Sequence, residues 1–574
     1  MKLKKLLFST FMTCSLFFTS CSNLSLPSNA NTAFENFTLQ LFQQEVASTT
    51  LNLHYTLQNP EVYGISSSTV TLGTFQTDAT PLLSSLENYQ TALDKFSYNA
   101  LSKENQLTYD ILTYYIDTET LGASYLLYKE PLSPLTGIHA QLPVLLAEYA
   151  FHSVDDVETY LALLETTPLY FSSLIEFERE KAKAGLFMSD DCVDAVLEQC
   201  NAFLSIKEQH YLLSTFSERL SNLPQLSETL QNKYLIQNEQ ALSSYVFPAY
   251  ENLVSSLTNL KGSGKNELGL YYYPDGKDYY TYLISSESGS SRSINEILTL
   301  IEKQITSDFL DMQHVLSENP SLLEAQSPLV LSSPDLILDE LKEKITTTFP
   351  KSSPVDIEIK YVPSVLEEYL SPAFYLIPTI DNTAPNVIYI NKSHLPDDIH
   401  LFTTLAHEGY PGHLYQTTYF SSTNPNPLRM LLNFKGYVEG WATYAEMCSY
   451  YLSSYENTYA TLLQKNNSLI LGLYASADIG IHYQGWDLER TQAFFHTYGI
   501  DDNEVIREIF ELIIGDPANY LTYYLGYLEI LELKQEIILE KGENFSQLDF
   551  HKKLLKIGPA PFDIISKRLL GDAS

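Results

Sequence analysis

Apolar positions recur every three or four residues along most of the chain, and this spacing is typical of amphipathic helices. Four stretches show it clearly: 157–164, 195–204, 294–301 and 521–539. A helix with this spacing gathers its apolar side chains on one face, where they can pack against a neighbouring helix. The pattern therefore predicts a mainly α-helical protein.

One segment departs from the helical repeat. Polar and apolar residues alternate from Val355 to Val362, and two short apolar runs bounded by proline follow. Alternation with a period of two predicts strands, so we expect a small sheet from about Asp356 to Asn391, just before a helix that carries His407. The sheet could bind an extended substrate along its edge, or it could only support that helix; the sequence leaves both open.

Two polar segments break the helical pattern and suggest an organisation into lobes. The segment 261–266 is rich in glycine and polar residues, and a run of Thr, Ser and Pro at 346–354 ends a predicted helix. We expect a mainly helical N-terminal lobe over residues 35–350. The C-terminal lobe, residues 351–574, carries the small sheet and the candidate chemistry.

The first residues have the features of a bacterial export signal. Three lysines precede an apolar stretch at 6–18, which is too short to span a membrane. Small residues then lead directly to Cys21, as in the lipobox of bacterial lipoproteins. We predict a signal peptide at 1–20, lipid on Cys21, a solvated tether at 21–34, and a location outside the cytoplasmic membrane. The alternative is an ordinary secretory signal in which Cys21 has no role.

Composition and charge exclude several classes of function. The chain is 44% apolar, enough for a large core, and its net charge of −36 argues against binding to nucleic acid or directly to anionic lipid. No C-x-x-C pattern occurs, so neither a thiolate zinc site nor a redox motif is indicated. Cys192 and Cys200 lie eight residues apart on one predicted helix, too far for a disulfide.

The strongest chemical signal is His407-Glu408-Gly409-Tyr410-Pro411-Gly412-His413. Zinc peptidases place two His four residues apart on one helix face, with a Glu between them as general base. Here the separation is six residues, which on a regular helix would point the second imidazole away. Pro411 disfavours a continuous helix and Gly412 permits unusual backbone angles. We therefore predict a break inside the motif that returns His413 to a metal shared with His407.

A third metal ligand is expected on a later helix. Glu439 and Glu446 lie seven residues apart and share a helix face. One can bind the metal while the other orients a ligand His from behind. We favour Glu439 as the ligand and Glu446 as the supporting carboxylate, although Glu446 could also be an ordinary solvated residue.

Two further groups have a possible role in substrate binding. Asp478 lies four residues before His482 on one helix face, where it could fix the tautomer of a His that donates to the substrate oxygen. A packed, hydrogen-bonded His482 is an equal alternative. Arg490 could hold a substrate carboxylate, but a surface position is the better interpretation.

At this point the chain resembles a known family. The His407–His413 motif, followed by Glu439-Gly440-Trp441, is similar to the bacterial family designated domain of unknown function 885. The resemblance extends from Pro274-Asp275-Gly276 to Phe550-His551-Lys552, and so covers most of the chain. The family usually has Gly-Gln where this chain has Ala518-Asn519.

The family is regarded as zincin-like and distantly similar to thimet oligopeptidases, and this implies more than the spacing shows. It implies two helical lobes around a cleft, which would admit short peptides, with the small sheet beside the active-site helix. It supports Glu439 as the third zinc ligand. It also implies that Tyr523, with Tyr527 in reserve, stabilises the oxyanion; without the resemblance we would assign these tyrosines to the core.

The sequence thus favours a peptidase holding one zinc ion per chain through His407, His413 and Glu439. Glu408 would be the general base, and Tyr523 or His482 would stabilise the oxyanion. A catalytically silent, lipid-anchored peptide- or metal-binding protein is the second hypothesis, although such a protein would not need Glu408. A third is metal-dependent hydrolysis of a non-peptide amide or ester, and the oligomeric state is open.

Overall fold

The computed structural model describes residues 29–571, apart from 67, 135, 208–209, 224–225, 324–332, 363–366, 368–370, 383 and 395–398. The predicted signal peptide and the lipidation of Cys21 lie outside these residues. The predicted tether, 21–34, ends earlier than expected because a helix begins at Ala30.

The chain is mainly helical, as predicted, and its described part contains 23 α-helices, numbered here in chain order. The first eleven are α1 (Ala30–Val46), α2 (Thr50–Thr56), α3 (Thr80–Leu93), α4 (Lys103–Gly122), α5 (Ile138–Ala147), α6 (Val154–Glu165), α7 (Thr167–Ala184), α8 (Asp190–Ser205), α9 (Tyr211–Ser221), α10 (Glu228–Ala241) and α11 (Phe247–Leu260). Three follow before the sheet: α12 (Gly276–Ser288), α13 (Ile294–Glu318) and α14 (Pro334–Lys344). The last nine are α15 (Ile399–Glu408), α16 (His413–Ser422), α17 (Lys435–Ser449), α18 (Asn457–His482), α19 (Leu488–His496), α20 (Asn503–Gly515), α21 (Asn519–Lys541), α22 (Gln547–Ile557) and α23 (Phe562–Gly571).

Helix α13 shows how local sequence and packing together define these elements. The Glu296 N–H donates to the Ser293 side chain at 3.4 Å, and the Glu296 carboxylate accepts the Ser293 N–H at 2.8 Å. This capping box satisfies two backbone donors that the first turn would otherwise leave unpaired. Ile297, Ile301 and Ile305 then follow at intervals of four and are buried in the core. The four stretches with the clearest apolar repeat are all helical, in α6, α8, α13 and α21.

The predicted sheet is present and has three strands: β1 (Ile357–Tyr361), β2 (Ala373–Leu376) and β3 (Asn386–Ile390). Their order is β1-β3-β2, with β1 parallel and β2 antiparallel to the central β3. Strand β2 is therefore at an edge of the sheet. This edge faces α15, the helix that ends at Glu408.

Two hydrophobic cores fill the described part of the chain, and the sheet lies between them. The smaller core is built mainly from α5 to α11, while the larger takes residues from both ends of the chain, including Phe34 and Leu569. Side chains on one strand alternate between the cores: Tyr375 belongs to the larger and Phe374 to the smaller. The sheet thus connects the helices of the smaller core to α15, the helix that carries His407 and Glu408. The division into lobes near residue 350 stays a prediction.

Two further observations concern the membrane and the cysteines. Among the described residues, no helix combines the length and apolar character needed to cross a membrane. Cys192 and Cys200 both lie on α8 and are free thiols, as is Cys448. The absence of a disulfide between Cys192 and Cys200 agrees with their predicted separation on one helix.

Candidate metal centre

The His–Glu motif is interrupted by a helix break, as the sequence predicts. Helix α15 ends at Glu408 and α16 begins at His413. Within the break the Gly412 N–H donates to the Ala406 carbonyl at 2.9 Å. A Cβ at position 412 would lie only 1.8 Å from the carbonyl oxygen of His407, so the approach of the two backbone segments requires glycine.

The break brings the two imidazoles together. Their ring centroids are 4.8 Å apart and nearly perpendicular, at 84°. One ligand atom from each of His407, Glu408 and His413 lies within 4.8 Å of the other two. Helix α17 adds a second carboxylate: an Oε atom of Glu439 is 3.3 Å from Nε2 of His413 and 3.7 Å from Nε2 of His407. We call these four residues the His–Glu centre.

Both carboxylates of the His–Glu centre are candidates for the third metal ligand. One oxygen of Glu408 accepts the backbone N–H of Tyr375, on β2, at 2.8 Å. One oxygen of Glu439 faces both Nε2 atoms, and its side chain is 2% exposed. Two imidazole nitrogens and one carboxylate oxygen are the donor set of many catalytic zinc sites. One oxygen of Glu439 thus lies near both imidazoles, while Glu408 is the carboxylate that clusters most tightly with them. That Glu439 rather than Glu408 binds a metal stays a prediction.

Glu446 lies behind His407. One of its oxygens is 3.0 Å from Nδ1 of His407, and the other accepts the Asn467 side-chain amide at 3.0 Å. With Nδ1 occupied in this way, Nε2 of His407 points to the centre. A carboxylate on the far nitrogen of a metal-binding His fixes its orientation and raises its basicity. For His413 the situation differs, because its buried Nδ1 has no hydrogen-bond partner among the described residues.

The carboxylates give the two imidazoles different proton affinities. Burial alone would lower the pKa of His407, but hydrogen bonds to Glu439 and Glu446, together with the charge of Glu408, raise it to about 10. Burial lowers the pKa of His413, and the attraction of Glu439 only partly opposes this. Without a metal, His407 is therefore an imidazolium at neutral pH and His413 is neutral.

This difference predicts proton release when zinc binds. A metal takes the neutral imidazole, so binding at pH 7.5 should displace about one proton from His407. Because the pKa of His407 is raised to about 10 in the metal-free protein, proton competition weakens as pH rises. The zinc association constant should increase about tenfold per pH unit between about pH 7 and pH 9. Calorimetry in two buffers with different ionisation enthalpies measures the released proton, and a value near zero would contradict this picture.

Tyr523, on α21, lies against the His–Glu centre. Its ring is roughly parallel to that of His407, with centroids 6.3 Å apart, and its hydroxyl is hydrogen-bonded to Glu439. Burial and the charges of Glu439 and Glu408 raise the pKa of Tyr523 well above its usual value, so the hydroxyl keeps its proton and can donate it in a hydrogen bond. The reserve candidate, Tyr527, packs instead against Tyr524.

Glycines allow α17 and α21 to approach unusually closely. This approach places Tyr523 beside Glu439. A Cβ on Gly526 would lie 1.9 Å from the Gly436 carbonyl oxygen, and a Cβ on Gly440 would lie 2.3 Å from the backbone of Gly526. The two backbones therefore touch. Tyr523 is one turn before Gly526, and Glu439 immediately precedes Gly440, so both residues lie next to the crossing.

We expect Gly526→Ala to destabilise the protein by about 1–3 kcal/mol, because the added methyl forces the two helices apart. Alanine is the better helix former by about 1 kcal/mol, so any loss of stability reports the packing conflict. Gly571 provides a matched control, since a Cβ there would meet nothing within 4 Å. Thermal unfolding of both variants in the presence of a chelator makes the comparison. Equal melting temperatures would show that the helices tolerate separation.

The structure corrects the interpretation of His482. This residue is buried away from the His–Glu centre: Nδ1 accepts the Leu270 N–H at 3.0 Å and Nε2 lies 2.9 Å from the Ile513 carbonyl. Both ring nitrogens are thus used by the backbone. Asp478 does not orient it, because that carboxylate accepts the Tyr280 hydroxyl and the Ala518 N–H. The packed, hydrogen-bonded alternative is the one observed.

The turn before α21 depends on the same carboxylate. Ala518 has φ 63°, in the left-handed region that favours glycine, and its N–H donates to Asp478 at 3.1 Å. This is the position at which the resembled family usually has glycine. Asp478 therefore supports the start of the helix that carries Tyr523, rather than His482. Arg490 is exposed and lies over the Trp486 ring, 5.1 Å from its centroid, as the surface interpretation expected.

Two contacts of the centre were not predicted from the sequence: Tyr375 with Glu408, and Asn467 with Glu446. The Tyr375 N–H that binds Glu408 is a backbone group, and no side-chain pattern reveals it. Asn467 belongs to α18, which the chain reaches only after α17, and nothing in its local sequence marks it as a partner of Glu446. The only usable signal for Tyr375 was the predicted strand directly before the His–Glu helix.

Comparison with known proteins identifies a matching family but no curated relative. The family model described as "Bacterial protein of unknown function (DUF885)" matches residues 79–569. No curated protein matches the chain.

Solved structures show a shared fold. A predicted lipoprotein from Colwellia psychrerythraea is 20% identical, with 95% of this chain and 100% of that chain covered and a TM-score of 0.81. A predicted lipoprotein of unknown function from Shewanella oneidensis is 17% identical, with 94% of this chain and 99% of that chain covered and a TM-score of 0.63. A predicted oligoendopeptidase F from Bacillus anthracis str. Ames is 10% identical, with 86% of this chain and 95% of that chain covered. Its TM-score of 0.31 does not show a shared fold.

Proposed function

The chain belongs to the DUF885 family of bacterial proteins of unknown function, and we propose that it is a zinc-dependent hydrolase that cleaves peptide bonds in short peptides. The observation that carries this proposal is the position of Glu408. It lies beside two converging imidazoles and a separate carboxylate that can complete the metal site. A site that only bound a metal would have no need for a second acidic group in this place.

The donor set fits zinc. His407, His413 and Glu439 would hold the ion, and Glu446 would orient His407. When bound, zinc lowers the pKa of water and polarises a carbonyl group. Three protein ligands leave a position free for a reacting molecule, which is the arrangement of catalytic rather than structural zinc sites.

Glu408 would act as the general base. It takes a proton from the attacking water and later delivers it to the leaving amine, so that the two products are a carboxylic acid and an amine. The Tyr375 N–H holds one carboxylate oxygen of Glu408, at 2.8 Å, and leaves the other for this proton transfer. The backbone of β2 thus fixes the base in position.

Tyr523 would stabilise the developing oxyanion. Its hydroxyl keeps its proton, because burial and nearby carboxylates raise its pKa. During the reaction it would exchange its hydrogen bond to Glu439 for one to the substrate oxygen. A donor that strengthens its bond as charge develops lowers the barrier rather than merely binding substrate.

Cleavage of a peptide library, followed by mass spectrometry, tests the proposal. We expect the purified protein to hold about one zinc ion per chain and to cut unstructured peptides, with activity lost on chelation and restored by zinc. If the zinc-loaded protein cuts no peptide but hydrolyses small amides or esters, the substrate class is wrong. If it hydrolyses neither, it is a binding protein.

We also propose that the protein is anchored by lipid on Cys21 outside the cytoplasmic membrane. The N-terminal sequence supports this, as do the two proteins of the same fold that are described as lipoproteins. Metabolic labelling with palmitate tests it: the wild type should incorporate label and Cys21→Ala should not. Equal labelling would exclude Cys21 as the site.

A further inference from the structure

A cavity shares wall elements with the His–Glu centre, although none of the four residues of the centre lines it. It offers about 100 Å³ to the centres of water molecules. Three elements that build the centre also line it. Tyr375, on β2, supplies the amide that binds Glu408; Gln416, on α16, lies one turn beyond His413; and Val438, on α17, directly precedes the proposed third ligand. The cavity is therefore the candidate place for a part of the molecule that reacts at the centre.

The walls of this cavity are mainly apolar and suit one residue of a peptide. Its lining includes the apolar side chains of Ile377, Ile380, Phe420, Met430 and Leu432. A single water needs roughly 10–15 Å³ in the same measure, so the space corresponds to roughly seven to ten waters. That is enough for one amino-acid residue with an apolar side chain, and far too small for a folded protein.

Arg429 is the one charged residue in the described lining of the cavity. It is 4% exposed. Its Nη2 donates to the carbonyls of Ile557, at 2.6 Å, and Pro559, at 3.2 Å, where α22 ends. Its Nε is buried without a partner, and Nη1 makes no hydrogen bond to a described residue. One side of the guanidinium is thus anchored, while the other is left with unused donors.

No carboxylate compensates this buried cation within the described part of the chain. The arginine ion pairs among the described residues are formed by Arg179, Arg292, Arg507 and Arg568 and do not include Arg429. Burial lowers the pKa of Arg429 to about 10, so the group remains charged at neutral pH. An isolated buried charge is costly unless it is paired and hydrogen-bonded, and a guanidinium matches a carboxylate through two parallel hydrogen bonds. The lining therefore combines a buried guanidinium suited to a carboxylate with apolar side chains suited to an apolar residue.

We propose that this cavity binds the C-terminal residue of the substrate, with the free carboxylate on Arg429 and the side chain against the apolar walls. This inference rests on the proposed peptide hydrolysis and narrows it to bonds close to the C-terminus. Water adds across such a bond, leaving a new carboxylate on the longer product and an amine on the released C-terminal fragment. The apolar walls favour this over a side-chain carboxylate, because an acidic side chain would leave them unfilled.

A pair of small ligands tests the cavity without requiring catalysis. N-acetyl-L-leucine carries the free carboxylate, and N-acetyl-L-leucinamide has the same shape without the charge. We expect the wild-type protein to bind the acid about 10- to 100-fold more tightly than the amide, the range for a hydrogen bond to a charged group. Calorimetry measures both affinities, and equal affinities would overturn the proposal.

Substitution of the arginine locates the effect. Arg429→Gln should bring the acid-to-amide ratio close to one, whereas Arg179→Gln should leave it unchanged, because that half-exposed arginine pairs with Glu176 on the surface of α7. Arg429→Lys keeps the charge but loses the planar fork, so it should retain only part of the preference. If Arg429→Gln does not fold, the lysine variant and the wild-type ligand pair still decide the question.

Peptides with free or amidated C-termini separate this inference from the proposed function. We expect the wild type to cleave free-acid peptides near their C-terminus with at least about tenfold higher kcat/KM than the matching amides. Cleavage without discrimination would refute the cavity assignment and leave the hydrolase intact. Carboxylate binding through Arg429 without cleavage of any peptide would refute the hydrolase and leave the cavity. Preference for internal Glu or Asp would show that the cavity takes a side-chain carboxylate instead.

Discussion

Replacing Glu408 with glutamine should lower kcat/KM for peptide hydrolysis by about 10²–10⁴-fold, the usual contribution of a general base. Glutamine has nearly the same shape and can still accept the Tyr375 N–H through its carbonyl oxygen. It cannot take a proton from water. The variant should therefore fold and bind zinc as the wild type does, and its defect should lie in kcat. Steady-state kinetics together with metal analysis measure both properties.

The control for this variant is Glu358→Gln, at a half-exposed carboxylate on β1. It should have wild-type activity and zinc content. If Glu408→Gln loses zinc as well as activity, Glu408 is a metal ligand and the roles of the two carboxylates in the centre are reversed. If it keeps full activity, the proposed mechanism is wrong.

The second large effect is expected at Glu439. Glu439→Gln should weaken zinc binding more than about 100-fold, beyond the range typical for groups that only support a ligand, because it removes a charged donor that faces both imidazoles. Glu446→Gln, on the same helix, should weaken binding by only about 10- to 100-fold, since Glu446 acts through Nδ1 of His407. The two variants form a matched pair. Competition with a chelator of known affinity gives both zinc dissociation constants.

Comparing the loss of zinc affinity in Glu439→Gln with that in Glu446→Gln shows which of the two carboxylates binds the metal. A larger loss for Glu446→Gln than for Glu439→Gln would make Glu446 the ligand, which is the alternative that the sequence left open. Equal and small losses would mean that neither carboxylate binds zinc. The pair also separates metal binding from proton transfer, because Glu408 is unchanged in both.

Short sequence patterns predicted the helix break, the sheet and the helices, because each of these depends mainly on residues close together in the chain. Pro411 and Gly412 predicted a helix break, because one disfavours the helical hydrogen bond and the other tolerates a backbone approach that no Cβ permits. The alternation from Val355 to Val362 predicted the sheet, and the apolar repeats predicted the helices. The family resemblance was needed to single out Tyr523 among the many tyrosines of the chain.

Features that depend on contacts between distant segments could not be predicted in this way. His482 and Asp478 share a helix face, yet each binds backbone groups from other segments. The sequence raised Arg490 as a possible carboxylate receptor but favoured a surface position for it, and it did not single out Arg429. The guanidinium of Arg429 is buried at the cavity and anchored by carbonyls about 130 positions away along the chain. Burial and unused donors are properties of the packed structure, and a sequence pattern does not contain them.

The most direct test of the proposed zinc centre is a crystal structure of the protein crystallised with zinc, with data collected on both sides of the zinc absorption edge. We predict a single strong anomalous peak, at about 2.0–2.2 Å from Nε2 of His407, Nε2 of His413 and an oxygen of Glu439. Glu408 should lie beside the ion without binding it. A protein that takes up no zinc, or a peak coordinated by other residues, would contradict the account.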